Sequence, residues 1–174
     1  MTTSLVVTAV GADRPGIVNM LSDVARHFDA NWAGSRMASL AGQFAGMVHF
    51  EVAVRNADAL ADALRKLEDE GLLIAIVRSD RGESADRRRI VRLELVGHDR
   101  PGIVRDLSGN LADRGVSIQE LHTEVVSAAM SAEHLFKMKA LLAVPDSVDD
   151  HALKEALEAL ANEMMIDIEL TELL

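Results

Sequence analysis

Apolar and polar residues alternate with a period of two across Val91, Leu93 and Leu95, which are separated by Arg92 and Glu94. This is the signature of a half-buried strand. The turn residues from Gly97 to Gly102 break the pattern. Ile103, Val104, Leu107 and Leu111 then recur at helical spacing, and Gly115 stands where a helix ends. Val116 to Val126 and Glu133 to Val144 are rich in β-branched and apolar residues. They flank the small-residue stretch Ser127-Ala128-Ala129-Met130-Ser131, and the whole predicts a hairpin. Leu153, Ala156, Leu157, Leu160 and Met164 form one helical stripe, and Ile166, Ile168 and Leu170 alternate as a closing strand.

The first half of the chain reads in the same order. Leu5 to Val10 predicts a strand, Ile17 to Phe28 a helix, and Asn31 to Leu40 with Phe44 to Val54 a hairpin. Leu60, Ala61, Leu64 and Leu67 stripe a second helix, and Leu72 to Val77 closes the unit. The correspondence extends to identity. Gly-Ala-Asp-Arg-Pro-Gly-Ile-Val at 11–18 returns as Gly-His-Asp-Arg-Pro-Gly-Ile-Val at 97–104, an offset of 86 residues at which Leu21, Ser22 and Phe50 also match Leu107, Ser108 and Phe136. Two copies this long are fused domains and not solenoid repeats. The βαββαβ order predicts an α+β protein of two ferredoxin-like units in tandem, each with two helices on one face of a four-stranded antiparallel sheet. The boundaries fall at 1–79 and 89–174, with the polar segment 80–88 as linker. The other sheet face and the sheet edges need cover, which a sister domain alongside could supply.

Composition narrows the chemistry. The 174 residues include no cysteine, so disulfides, thiolate nucleophiles and Cys-based zinc sites are excluded. The N-terminus lacks the basic start and apolar run of a signal peptide, and no run approaches membrane-spanning length, so a cytoplasmic protein is expected. The net charge is −10, from 28 acidic and 18 basic residues. The basic residues are scattered apart from Arg87-Arg88-Arg89, which reads as a solvated charge run in the linker. With no tyrosine and one tryptophan, stacking platforms are lacking too, and direct nucleic-acid binding is not expected. The six histidines show no ligand-like spacing, so no metal is expected, and no nucleophile, phosphate-loop or paired-carboxylate motif suggests catalysis or a cofactor.

The repeated loop is the candidate site. Proline suits the first turn of a helix, an aspartate shortly before it can cap the exposed backbone donors, and the following glycine lets a ligand approach the backbone. Free N–H groups at a helix start attract carboxylates and phosphates. The same residue types also make a good helix start with no ligand at all. His98 stands where the first copy has Ala12, and could recruit a polar group or respond to pH.

Two βαββαβ units, each with a G-x-D-R-P-G-I-V loop, resemble tandem ACT domains over roughly residues 4 to 171. ACT domains are regulatory modules that bind amino acids where two of them pack side by side. The resemblance implies a ligand loop of Gly11, Asp13, Arg14, Pro15, Gly16 and Ile17. Its second copy would be Gly97, Asp99, Arg100, Pro101, Gly102 and Ile103. The asparagine that family members carry entering the second strand matches Asn31, and the second copy departs with Ser117. Serine-binding members have asparagine in the loop where this chain has Asp13 and Asp99. An aspartate favours a ligand's ammonium and disfavours its carboxylate.

Freestanding double-ACT proteins are similar to regulators of glycine cleavage. That resemblance implies a non-enzymatic protein that binds an amino acid between or beside its domains and modulates a protein partner, a DNA-binding activator. A regulatory subunit of an amino-acid or one-carbon enzyme and a ligand-free interaction module remain as alternatives. Pairing of two chains through their sheets, as a homodimer, is left open.

Overall fold

In the computed structural model, which describes residues 1–79, 88–127 and 134–172, the predicted alternation becomes two four-stranded antiparallel sheets. The chain divides between residues 84 and 85 into two compact units. The first contains β1 (Thr2–Ala12), α1 (Ile17–His27), β2 (Asn31–Leu40), β3 (Gln43–Ala53), α2 (Val54–Arg65) running into a short 3₁₀ helix (Lys66–Glu70), and β4 (Leu72–Ser79). The second contains β5 (Arg88–His98), α3 (Ile103–Ala112), β6 (Ser117–Ser127), β7 (His134–Pro145), α4 (Asp150–Met164) and β8 (Ile166–Glu172). The sheet orders are β2-β3-β1-β4 and β6-β7-β5-β8. This is the ferredoxin-like βαββαβ topology twice over. Of the expected linker, residues 80–87 lie outside the described residues, and Arg88 opens β5. The residues joining β6 to β7, 128–133, lie outside them as well.

Each unit has a core of its own. Ile17, Leu21 and Ala25 recur every four residues on α1 and meet Leu5, Val7 and Ala9 of β1 and Val48, Phe50 and Val52 of β3. Ile103, Leu107 and Leu111 of α3 do the same over Val91, Leu93 and Leu95. Both second strands carry a bulge at the same place, between Trp32 and Gly34 and between Ile118 and Glu120. Beyond β6 the constant offset fails. Phe44 lies opposite Gly11 and Phe136 opposite Gly97, so the structural counterpart of Phe136 is Phe44, and Phe50 corresponds to Leu142. The Phe50–Phe136 match is a coincidence of spacing. Among the described residues no helix is long and apolar enough to cross a membrane.

The faces turned away from the helices differ sharply. Reading across the first sheet, the central rows are Arg36–Met47–Thr8–Ala75 and Ala38–Ala45–Val10–Leu73. The matching rows of the second sheet are His122–Lys139–Glu94–Glu169 and Glu124–Lys137–Val96–Asp167.

Arg89 corrects one expectation. It is a residue of β5 and not a solvated linker charge: its side chain is only 19% exposed. Its guanidinium donates to the carbonyls of Pro145, at 3.2 Å, and Val148, at 2.8 Å, and pairs with the Asp150 carboxylate. One planar fork thus pins the corner between β7 and α4. Arg89→Ala should cost the second unit about 2 kcal/mol by chemical denaturation, the range for hydrogen bonds from a charged group. Arg89→Lys should recover less than half of that, because an ammonium cannot hold both carbonyls and the carboxylate in one plane.

Candidate functional site

The repeated loop joins the first strand to the first helix of each unit. Its glycines do two different jobs. Gly11 and Gly97 sit near the ends of β1 and β5, on the helix-covered face, where the next strand enters. A Cβ on Gly11 would lie 2.8 Å from the Gly71 carbonyl oxygen, and one on Gly97 would lie 2.9 Å from Ile166 Cβ. Close strand packing therefore accounts for these two. A notional Cβ on Gly16 meets open space and one on Gly102 only the Asp106 carboxylate, at an ordinary 3.6 Å, but the two glycines take φ of +97° and +100°. That is the left-handed region, the one a Pro-Gly pair supplies at the second central position of a tight turn.

This geometry overturns the expected cap. Gly16 and Gly102 are themselves the N-caps of α1 and α3, neither helix has a side-chain cap, and Pro15 and Pro101 precede the cap instead of occupying the first turn. The first helical bonds run from the Met20 N–H to the Gly16 carbonyl and from the Asp106 N–H to the Gly102 carbonyl, both at 2.9 Å. Asp13 is engaged elsewhere. Its carboxylate accepts a 2.6 Å bond from the Ser39 hydroxyl, and its N–H donates to the Gly42 carbonyl at 2.9 Å. Arg14 donates to the Glu70 carbonyl at 2.6 Å, with the Glu70 carboxylate 4.0 Å away. The first loop is thereby tied to the β2–β3 turn on one side and to the approach to β4 on the other. Ile17 is buried and anchors the helix start in the core.

The second loop keeps the backbone and changes the chemistry. The Asp99 N–H donates to the His134 carbonyl at 2.9 Å, and Ile103 is buried like Ile17. His98 ends β5, exposed and opposite Leu135. Asp106 places a carboxylate in the first turn of α3, where α1 has Met20 and no acidic residue. Arg100 and Asp106 line an open groove of about 580 Å³ with Arg105, Asn110 and Glu163. Among the described residues no three His, Asp or Glu side chains gather as a metal site would require.

Asn31 does not join the loop of its own unit. It opens β2 opposite Glu51, whose carboxylate its amide contacts at 3.3 Å, and Glu51 lies opposite Ser4. Ser4 is seven residues from Gly11 along β1, roughly 23 Å at strand rise. Ser117 is placed likewise, opposite Ala143, which faces Ile90 at the far end of β5. The residues the structure does bring to Asp13 and Arg14 are Ser39 and Glu70. Ser39 was legible in the register: a β2 running parallel to β1 returns its C-terminal end to the loop.

The ACT domain family profile matches residues 3–76 and 89–171. A crystal structure of an unknown protein from Galdieria sulphuraria superposes with a TM-score of 0.89, at 33% identity over 100% of both chains. A candidate glycine cleavage system transcriptional repressor superposes with a TM-score of 0.72, at 21% identity over 99% of this chain and 98% of that one. No curated protein matches the sequence significantly.

Proposed function

We propose a regulatory, non-catalytic role for this chain, which belongs to the ACT-domain family: it binds an amino acid at the loop of its first unit and thereby alters how it engages a protein partner. The observation that carries this reading is the pairing, on one loop, of the Asp13 carboxylate with a helix start at Gly16 that has no side-chain cap. A carboxylate suits an ammonium group, and uncapped first-turn N–H groups suit a carboxylate. Together they match the two charged ends of an amino acid. In the second loop Asp106 repels an incoming carboxylate, so the first loop is the tighter site.

The partner we favour is a transcriptional regulator of glycine cleavage or related amino-acid metabolism, met in the cytoplasm. Support comes from likeness of shape to the candidate repressor along the full length of both chains. The ligand acts only if it prefers one state of the protein, since equal affinity for two states shifts nothing.

A thermal-shift screen against the amino acids, glycine and serine first, tests this. A ligand at about 100 times its Kd should stabilise the protein by about 2.7 kcal/mol. Asp13→Asn keeps an acceptor for Ser39 while removing the charge, and should reduce the shift at least tenfold in ligand concentration. Asp99→Asn should leave it nearly unchanged. Failure of every amino acid to shift the transition would remove the ligand from the proposal.

A further inference from the structure

The row of residues across the first sheet beside its loop is Ser39–Phe44–Gly11–Leu72, and the matching row of the second is Val125–Phe136–Gly97–Ile166. Phenylalanine and glycine are kept, and leucine and isoleucine are close in kind. On the edge strand, serine is exchanged for valine. The Ser39 hydroxyl donates to Oδ2 of the Asp13 carboxylate at 2.6 Å, a bond that Val125 has no group to offer Asp99. We propose that Ser39 is the positioning residue of the first loop: it holds the Asp13 carboxylate in the orientation that receives a ligand's ammonium group. This role rests on the reading in which the first loop binds an amino acid, and it adds a second reason, beside Asp106, for the two loops to differ in affinity.

Folding of the loop does not require the serine. Both loops are tied to their hairpins by the same backbone bond, from the Asp13 N–H to the Gly42 carbonyl and from the Asp99 N–H to the His134 carbonyl, each at 2.9 Å. The caps that follow reach φ +97° at Gly16 and +100° at Gly102. The second loop thus makes the same turn with a valine at the edge. Burial does not ask for the bond either. Asp13 and Ser39 are both exposed, and water would satisfy each of them.

What the hydroxyl changes is the freedom of the carboxylate. An exposed aspartate without a partner exchanges among staggered rotamers, and a ligand has to arrest it on binding. A length of 2.6 Å is that of a charge-assisted O–H···O⁻ bond, roughly twice as strong as a neutral one. It fixes Oδ2 and leaves Oδ1 to accept from an ammonium. Arresting one side chain in advance is worth about three- to tenfold in affinity.

Isothermal titration calorimetry and thermal shift on the full chain, with glycine, L-serine and the other common amino acids, give the parent's affinity. For the tightest of them, Ser39→Val should raise Kd about fivefold. Valine is what the second loop already carries here, so the unliganded melting transition should be nearly unchanged. Ser39→Ala should match it and covers the case in which the valine variant folds poorly. Ser39→Thr, close to valine in shape but with the hydroxyl restored, should bind like the parent. In Asp13→Asn no charge is left to orient, so adding Ser39→Val should change Kd by less than about twofold, the two effects overlapping instead of multiplying. Parent-like affinity in both Ser39→Val and Ser39→Ala overturns the positioning role and leaves the amino-acid reading standing. The same holds for a loss that Ser39→Thr fails to restore, or one that persists undiminished in Asp13→Asn. A parent that gives neither heat nor a thermal shift with any amino acid overturns that reading, and the role of Ser39 with it.

Discussion

Gly97→Val should destabilise the second unit by about 3 kcal/mol, the upper part of the range for overpacking a filled core. The added Cβ would lie 2.9 Å from Ile166 Cβ and 3.3 Å from Ile166 Cα, and it would run directly into the methyl at Cγ2. Only the last of these could swing away. Ile166 is the first residue of β8, buried in the core and directly opposite Gly97 in the strand register. Relief therefore requires the strand to move, and β8 follows directly on Met165, which already sits at φ +53°. Gly11→Val meets the corresponding obstacle in the Gly71 carbonyl and Leu72. Urea denaturation checks the prediction. A loss below about 1 kcal/mol, the low end of that overpacking range, would mean that β8 can retreat and that the glycine has another purpose. The expected loss assigns the leading glycine of each loop to packing, and it leaves the aspartate and the second glycine as the residues that shape a site.

Strand and helix positions were legible because this chain satisfies its periods almost everywhere. Val91, Leu93 and Leu95 alternate with charges, and Ile103, Leu107 and Leu111 recur at one helical turn. The constant offset of 86 residues then fixed the duplication without any need for geometry. The same offset misled where length changed: it paired Phe136 with Phe50, whereas register puts Phe136 in the place of Phe44.

At the loop, the residue types suited two physical arrangements. Aspartate and proline before a helix usually mean a side-chain cap and a proline-led first turn. Here the Pro-Gly pair makes a left-handed cap, and the aspartate turns to Ser39. Choosing between them required knowing that Ser39 lies within reach, a tertiary fact that only strand register supplies. Arg89 was obscure for the same reason. Its carbonyl partners are 56 and 59 residues away in the chain, and nothing local distinguishes it from the arginine beside it. The contrast between the open faces was written in plain residues, Val6-Val7-Thr8-Ala9-Val10 against Arg92-Leu93-Glu94-Leu95-Val96. It gains meaning only when neighbouring strands extend each row with the same character.

Phe50→Ala should have the largest effect, a loss of about 4 kcal/mol confined to the first unit. Phe50 is fully buried in the middle of β3, edge-on to Trp32 with ring centroids 5.3 Å apart. Deleting a buried phenyl ring costs about 3–5 kcal/mol through lost transfer energy and the cavity left behind. In a domain of this size such a loss lowers Tm by roughly 15–30 °C. The two cores have no buried residue in common, each being drawn from one unit. The variant should therefore melt in two steps, with the second unit keeping its own transition. Trp32 is the single tryptophan of the chain and packs on the deleted ring, so its fluorescence follows the first unit alone while far-ultraviolet circular dichroism follows both. Fluorescence should report the lowered transition, and circular dichroism should report that transition and a second near the parent's. One shared transition, lowered in both signals, would show instead that the halves unfold as a single cooperative unit. Stabilisation of the first loop by a ligand would then extend to the whole chain.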